Sequence, residues 1–260
     1  MSAATGVNAD LDHVALAAAD TAPAMRFLTG TLGGTVLSGG QAFGFRPVQV
    51  LVGDISGGMK VELLEPWDTE HNDFLARFVA RTGAGPHHLT FKVKDLDTAL
   101  DAARDAGFTP VGIERSDPRW QEAFLHPSQA HGTVVQLAQT TEGADRAAWL
   151  AYVAANGADG SPRWWVEPEP AVGPPSYLRR VVLGAPDPGA LLPLYAGLLG
   201  GVAAEATDDP ADGTELVWPG GGRVRIERRP DVAPGVDRLE VEGLAAPTNV
   251  VGTWFTPTES

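Results

Sequence analysis

The 260-residue chain contains no cysteine. Disulfides, thiolate metal sites and cysteine nucleophiles are therefore excluded, and any bound metal must be held by nitrogen and oxygen ligands. Positive charge is scarce: 19 Lys and Arg stand against 33 Asp and Glu, a net charge of -14 at pH 7. Such a surface repels phosphate backbones and anionic lipid, so neither nucleic acid nor a membrane is an expected partner. No window reaches the roughly 20 apolar residues that span a bilayer, and the opening MSAATGVNAD lacks the basic and apolar regions of a secretory signal. A cytoplasmic, soluble protein is the expectation. Histidine is missing from everything beyond position 131, since all 6 lie at positions 13, 71, 87, 88, 126 and 131. The length suits one large domain or two modest ones, each able to bury a core.

What is present is repetition. Leu11 to Gly34 reads LDHVALAAADTAPAMRFLTGTLGG and Leu178 to Gly201 reads LRRVVLGAPDPGALLPLYAGLLGG, two stretches that align without a gap. Pro86 to Gly107, PHHLTFKVKDLDTALDAARDAG, is a weaker third copy. In each, a strand pattern precedes Asp20, Asp95 or Asp187 at a helix N-cap position, and the helical pattern closes on Gly33-Gly34, Gly107 or Gly200-Gly201. Strand-like runs follow each helix, at Val48–Val52 and Met59–Leu64, at Pro110–Ile113, Ala123–Leu125 and Thr133–Ala138, and at Glu215–Trp218 and Arg223–Glu227.

The repeating unit reads as βαβββ, and the fold class as α+β. Two complete units, about 10–66 and 86–140, are joined by a helical link around Asn72–Arg81; their pseudo-twofold pairing forms a curved mixed-sheet cup. A third, degenerate unit runs from about 177 to 229, and Asp237–Glu242 begins a fourth that is not completed. Asp145–Asn156 reads as an amphipathic helix, and SPRWWVEPEPAVGPPS as an extended, Pro-rich linker. The expected organisation is thus a metal-site domain over 1–140, a helix and linker over 141–176, and a degenerate half-module over 177–260.

Aligning the units sets His13 against His88 on the opening strands and Glu62 against Gln136 on the closing strands. Glu62 lies among apolar neighbours, where a carboxylate is costly to bury unless paired or bound to a cation. Two imidazoles, one carboxylate and one amide oxygen on the inside of one sheet suit a divalent Co, Ni, Zn, Mn or Fe ion with positions open to substrate. His87 should face the other side, because strand side chains alternate, and His71 and His131 read as loop residues. His126 either lines the cavity or caps a turn. Phe43, Phe45, Trp67, Trp120 and Phe124 supply an apolar lining. In the third unit Arg180, Arg225 and Arg238 stand where His13, Glu62 and His88 stand, and cations cannot ligate a metal. That unit reads as a degenerate scaffold with solvated arginines, or as an anion site, a cover for the cavity or a dimer surface.

The runs Leu11-Asp12-His13-Val14-Ala15, Val61-Glu62-Leu63-Leu64-Glu65-Pro66, Gly85-Pro86-His87-His88-Leu89, Phe124-Leu125-His126-Pro127 and Gly132-Thr133-Val134-Val135-Gln136-Leu137-Ala138-Gln139 resemble the methylmalonyl-CoA epimerases. More broadly, about the first 140 residues resemble the vicinal-oxygen-chelate superfamily of glyoxalases, extradiol dioxygenases and antibiotic-resistance proteins. The resemblance implies a metal held at His13, Glu62, His88 and Gln136, with Glu and Gln exchanged relative to the epimerase pattern. It also implies carboxylate bases at the positions of Gln136 and Gln49, where this chain has amides that cannot accept a proton from carbon. Glu62 remains as the catalytic carboxylate, with Gln49, Phe45, Trp120, Phe124 and His126 as substrate contacts.

The expected function is a homodimeric, metal-dependent enzyme that polarises a carbonyl or vicinal oxygens of a small substrate. An epimerase or isomerase acting on an acyl thioester or 2-substituted carbonyl compound is the nearest form. An Fe(II) dioxygenase of the extradiol type and a non-catalytic, antibiotic-sequestering protein are the alternatives.

Overall fold

The computed structural model describes residues 7–42, 44–54, 56–140, 163–204 and 213–258. The helix expected over 145–156, and Phe43, lie outside the described residues. Among the described residues fifteen strands form two mixed sheets. The first has the order β2-β3-β4-β1-β5-β8-β7-β6 and is built from two βαβββ modules. In one module β1 (Asp10–Ala17) leads through α1 (Ala22–Arg26) to β2 (Thr35–Gly39), β3 (Phe45–Val52) and β4 (Met59–Pro66). In the other, β5 (Gly85–Lys92) leads through α3 (Leu96–Asp105) to β6 (Val111–Asp117), β7 (Trp120–Leu125) and β8 (Val134–Thr140), with α2 (Phe74–Thr82) as the link. β1 runs parallel to β4, and β5 to β8. Paired βαβββ modules in a mixed sheet are thus present. β2 was not among the strand patterns read from the sequence; its residues, TVLSG, are only partly buried and carry little apolar signal.

The second sheet has the order β10-β11-β12-β9-β13-β15-β14. β9 (Tyr177–Ala185), β10 (Val202–Ala203), β11 (Thr214–Val217) and β12 (Arg223–Arg228) repeat the module, again with the first strand parallel to the last. β13 (Gly235–Glu242), β14 (Thr248–Val250) and β15 (Thr253–Pro257) follow. Among the described residues this fourth module has three strands and no helix, because only five residues separate β13 from β14.

Capping follows the sequence reading at two of the three positions. Asp95 accepts from the Thr98 N–H at 2.7 Å and Asp187 from Gly189 at 3.0 Å, whereas the N-cap of α1 is Thr21, and Asp20, one residue earlier, accepts from Ala22 at 2.9 Å. Gly33, Gly107 and Gly200 take positive φ where the helices stop. The two gapless repeats also share a departure from α-helical geometry. Leu32 N–H bonds Phe27 C=O at 3.0 Å and Gly34 bonds Leu28 at 2.8 Å; at the matching positions Leu199 bonds Leu194 at 2.9 Å and Gly201 bonds Tyr195 at 2.9 Å. Both helices therefore end in a widened π turn.

Close contacts divide the chain into two units: Met1–Asp12, His88–Trp149 and Arg180–Asp237 in one, His13–His87, Leu150–Arg179 and Arg238–Ser260 in the other. In the first, Phe91 of β5 packs edge-on against Trp218, ring centroids 5.1 Å apart, and lies 6.2 Å from Tyr195, all three being essentially inaccessible. In the second, Ala15, Ala17, Leu64 and Leu75 form a cluster with Phe45, Phe74, Phe78 and Val79. α2 thereby covers the face of β1 and β4 that also carries His13 and Glu62. The Pro-rich run is extended but docked: Trp164 Nε1 donates to Pro47 O, Glu169 N to Thr29 Oγ1, Val172 N to Gly30 O and Ser176 N to Leu32 O.

Candidate metal centre

Strand alternation places His13 in line with Ala15 and Ala17, and Glu62 in line with Leu64, on one apolar face. β3 pairs Gln49 directly with Glu62. The Gln49 amide donates from Nε2 to Glu62 Oε1 at 3.0 Å, while Glu62 Oε2 stands 3.3 Å from His13 Nε2. His13 is 1% exposed, and the Glu62 side chain 12%. Gln49 Oε1 is buried without a hydrogen-bond partner. His13, Glu62 and His88, on the sheet neighbours β1, β4 and β5, each offer a ligand atom, and these atoms lie within 4.8 Å of one another.

The donor set fits a divalent ion. Metal–nitrogen and metal–oxygen bonds of about 2.0–2.2 Å put adjacent ligand atoms roughly 3.0–3.5 Å apart, and the His13–Glu62 spacing of 3.3 Å falls in that range. A buried carboxylate beside two imidazoles also answers the cost of keeping Glu62 on an apolar face. Gln49, whose amide N–H ties down one carboxylate oxygen, orients the other as outer hydrogen bonds do at metal sites.

Gln136 is buried on β8, one strand beyond β5 and level with Thr90. Its amide is engaged on both sides. The Thr90 hydroxyl donates to Oε1 at 2.5 Å, and Nε2 donates to Glu122 Oε2 at 2.6 Å. Glu122, which also accepts from Trp120 Nε1 at 2.5 Å, was missed in the sequence. A signal existed: Trp120 and Phe124 were both assigned to the cavity, and Glu122 lies between them on the same period-two face of β7.

The remaining residues divide cleanly. Phe45 packs on Phe74 at 5.7 Å, at the edge of the α2 cluster. Phe124 is half-buried and lies under the positive-φ Gly112. His126 is exposed and caps a turn, with Nδ1 2.8 Å from Ser128 Oγ. His71 pairs with Asp68 in a loop, and His131 takes a positive φ. His87 packs edge-on against Phe78 and Phe74; burial pushes it from 6.5 down to about 4, opposed by the Glu62 charge. Trp67 is 42% exposed and stacks on Arg46 rather than lining an apolar cavity. Two lysines and an aspartate that sequence reading passed over are fully sequestered. They are Lys60, Lys92 and Asp12, with Lys92 Nζ 3.5 Å from Asp12.

The second sheet supports the alignment of its module and corrects one inference from it. Arg225 pairs with Val182 and Glu215, as Glu62 pairs with Ala15 and Gln49. The arginines at the ligand positions are not solvated, however. Arg180, Arg225 and Arg238 are only 18%, 23% and 20% exposed, and they pair with Glu215 at 2.5 Å, Glu227 at 2.8 Å and Glu240 at 2.7 Å. Glu215, Glu227 and Glu240, to which the sequence reading gave no role, are the partners that let these guanidinium groups leave water.

Residues 12–124 match the family model described as the Glyoxalase/Bleomycin resistance protein/Dioxygenase superfamily, so this stretch, less than half of the chain, carries a vicinal-oxygen-chelate domain. Solved structures similar to it include a hypothetical protein from Bacillus halodurans C-125, 25% identical over 52% of this chain and 96% of that one, with a TM-score of 0.46. A variant methylmalonyl-CoA epimerase from Streptomyces coelicolor, in complex with 2-nitronate-propionyl-CoA, is 27% identical over 51% of this chain and 97% of that one, with a TM-score of 0.45. The methylmalonyl-CoA epimerase from Mycobacterium tuberculosis is 25% identical over 53% and 91%, with a TM-score of 0.46. No curated protein matches the chain. Among the described residues no helix is long and apolar enough to cross a membrane.

Proposed function

We propose that the chain is a metal-dependent enzyme that activates a small carbonyl substrate, with His13, Glu62, His88 and Gln136 holding one divalent ion. The observation that carries the reading is the buried His13, Glu62 and His88 cluster, in a stretch that matches the superfamily. A bound divalent ion would supply Lewis-acid polarisation of a carbonyl oxygen and so acidify the neighbouring C–H. Glu62 is the carboxylate of the cluster, and Gln49 holds its Oε1. The amides of Gln49 and Gln136 hydrogen-bond and orient but cannot take a proton from carbon. The reaction class these groups support is a one-base isomerisation or epimerisation of an acyl thioester or other 2-substituted carbonyl compound. The α2 cluster of Phe74, Leu75, Phe78 and Val79 shields the same face from water, which strengthens the electrostatic interactions within it.

Elemental analysis of protein purified from cobalt- or zinc-supplemented medium tests the centre. One ion per chain is expected, lost in His13→Ala and Glu62→Ala. Deuterium exchange into 2-methylmalonyl-type thioesters tests the chemistry: exchange with inversion is the epimerase outcome, and exchange without racemisation shows proton abstraction and return by one base on one face, which excludes epimerisation. No metal in the supplemented protein, with wild type and His13→Ala binding a ligand equally well, would replace this reading with sequestration; iron with oxygen uptake would replace it with a dioxygenase.

A further inference from the structure

We propose that Glu122 is a positioning residue for the metal centre: its carboxylate sets which end of the Gln136 amide faces the ion. The inference rests on the reading of Gln136 as a ligand. A side-chain amide ligates a metal through oxygen, and its nitrogen, a pure donor, does not. Which end faces the site is therefore as consequential as the residue itself. Gln136 has two neighbours that could orient it. Thr90, on β5 two residues beyond His88, touches one end through a hydroxyl that can donate or accept and so tolerates either orientation. Glu122, on β7, touches the other end with a group that only accepts.

The choice is thus made by Glu122. Turning the amide over would set Gln136 Oε1 against the Glu122 carboxylate at a distance where Nε2 now donates at 2.6 Å, two acceptors with no proton between them. With the carboxylate in place, nitrogen points to β7 and oxygen points to β5, the strand that bears His88. Trp120 completes the device. Its indole N–H, which can only donate, bonds the same Glu122 Oε2 at 2.5 Å and holds that oxygen where the amide needs it. Lys92 Nζ lies 5.9 Å from the Trp120 ring centroid and pairs with Asp12, so the tryptophan that anchors Glu122 has a buried cation over its face. The exchange of carboxylate and amide between the closing strands is in this way compensated: the amide at 136 has no intrinsic preference for presenting oxygen, and Glu122 confers one.

The test is titration of metal-free full-length protein with Co(II) alone, followed by the visible absorption of the bound ion, for wild type, Gln136→Ala, Glu122→Leu, Glu122→Gln and the Gln136→Ala/Glu122→Leu pair. Glu122→Leu should weaken Co(II) binding about 10- to 100-fold, the usual effect of losing an outer-shell partner, and shift the absorption bands. Glu122→Gln keeps an acceptor oxygen for both donors and should restore near-wild-type affinity and spectrum. The double variant should bind no more weakly than Gln136→Ala alone. Wild-type affinity in Glu122→Leu, with Gln136→Ala weakened, overturns the positioning role and leaves Gln136 a ligand. An unchanged Gln136→Ala overturns the ligand assignment itself, and this inference with it. If Glu122→Leu does not fold, Trp120→Phe frees the Glu122 anchor without removing the carboxylate; a several-fold weaker affinity supports the role and none refutes it.

Discussion

Phe91 is where the candidate metal strand meets the third module, and its removal should be costly in a calculable way. Its ring is 0% exposed and touches Trp218 edge-on at 5.1 Å, with Tyr195 at 6.2 Å. Truncating a buried phenylalanine to alanine costs about 3–5 kcal/mol, the transfer of the ring plus the cavity left behind. Of that, the aromatic pair with Trp218 accounts for about 0.5–1.5 kcal/mol. Against a total stability of about 5–15 kcal/mol, Phe91→Ala should remove a large fraction. Phe91→Leu and Trp218→Phe, singly and together, isolate the pair term in a double-mutant cycle read by urea unfolding of the metal-free protein. A coupling of about 0.5–1.5 kcal/mol is expected. Because Phe91 and His88 lie on opposite faces of β5, Phe91→Leu should leave Co(II) affinity at the wild-type value. Additive single effects, or a cost for Phe91→Ala below about 1 kcal/mol, would refute the claim that β5 is braced by the third module.

Two further expectations follow from backbone and charge. A Cβ at Gly132 (φ +89) would lie 1.7 Å from the Pro234 carbonyl oxygen, whereas one at Gly107 (φ +87) would meet nothing within 4 Å. Gly107→Ala should therefore cost about 1 kcal/mol from the dihedral alone, and Gly132→Ala about 2 kcal/mol or more in unfolding experiments. Glu215 is pushed up by burial but held on balance below its ordinary 4.5 by hydrogen bonds from Arg223 and Arg180. Its folded value being the lower, the stabilisation it gives is present above pH 4.5 and fades as pH falls through the folded value. Glu215→Gln should lower neutral-pH stability and flatten the acid limb of the stability profile, and an unchanged acid limb would show that the arginine pairs do not act this way.

Local pattern carried a good deal. Gapless repetition aligned Leu11–Gly34 with Leu178–Gly201, and the helix ends of both copies make matching widened turns. Strand alternation singled out His88 as the histidine that groups with His13 and Glu62, but His87 also packs against Phe74 and Phe78 of α2 and feels the Glu62 charge, a contact that alternation does not predict. Glycine at positive φ marked the helix stops because only a residue without Cβ takes that conformation freely. β2 escaped because a partly buried edge strand needs no apolar alternation.

By itself, then, the sequence determined the module, its copies and the faces on which His13, Glu62 and His88 stand, since strand and helix periods are properties of neighbouring residues. Only the tertiary structure decided which faces meet. It brought Glu122 to the Gln136 amide, paired Arg180, Arg225 and Arg238 with Glu215, Glu227 and Glu240, docked the Pro-rich strap on Gly30 and Leu32, and set Phe91 against Trp218. Each of those contacts joins different segments of the chain or turns on the rotamer of one side chain, and neither leaves a period in the sequence.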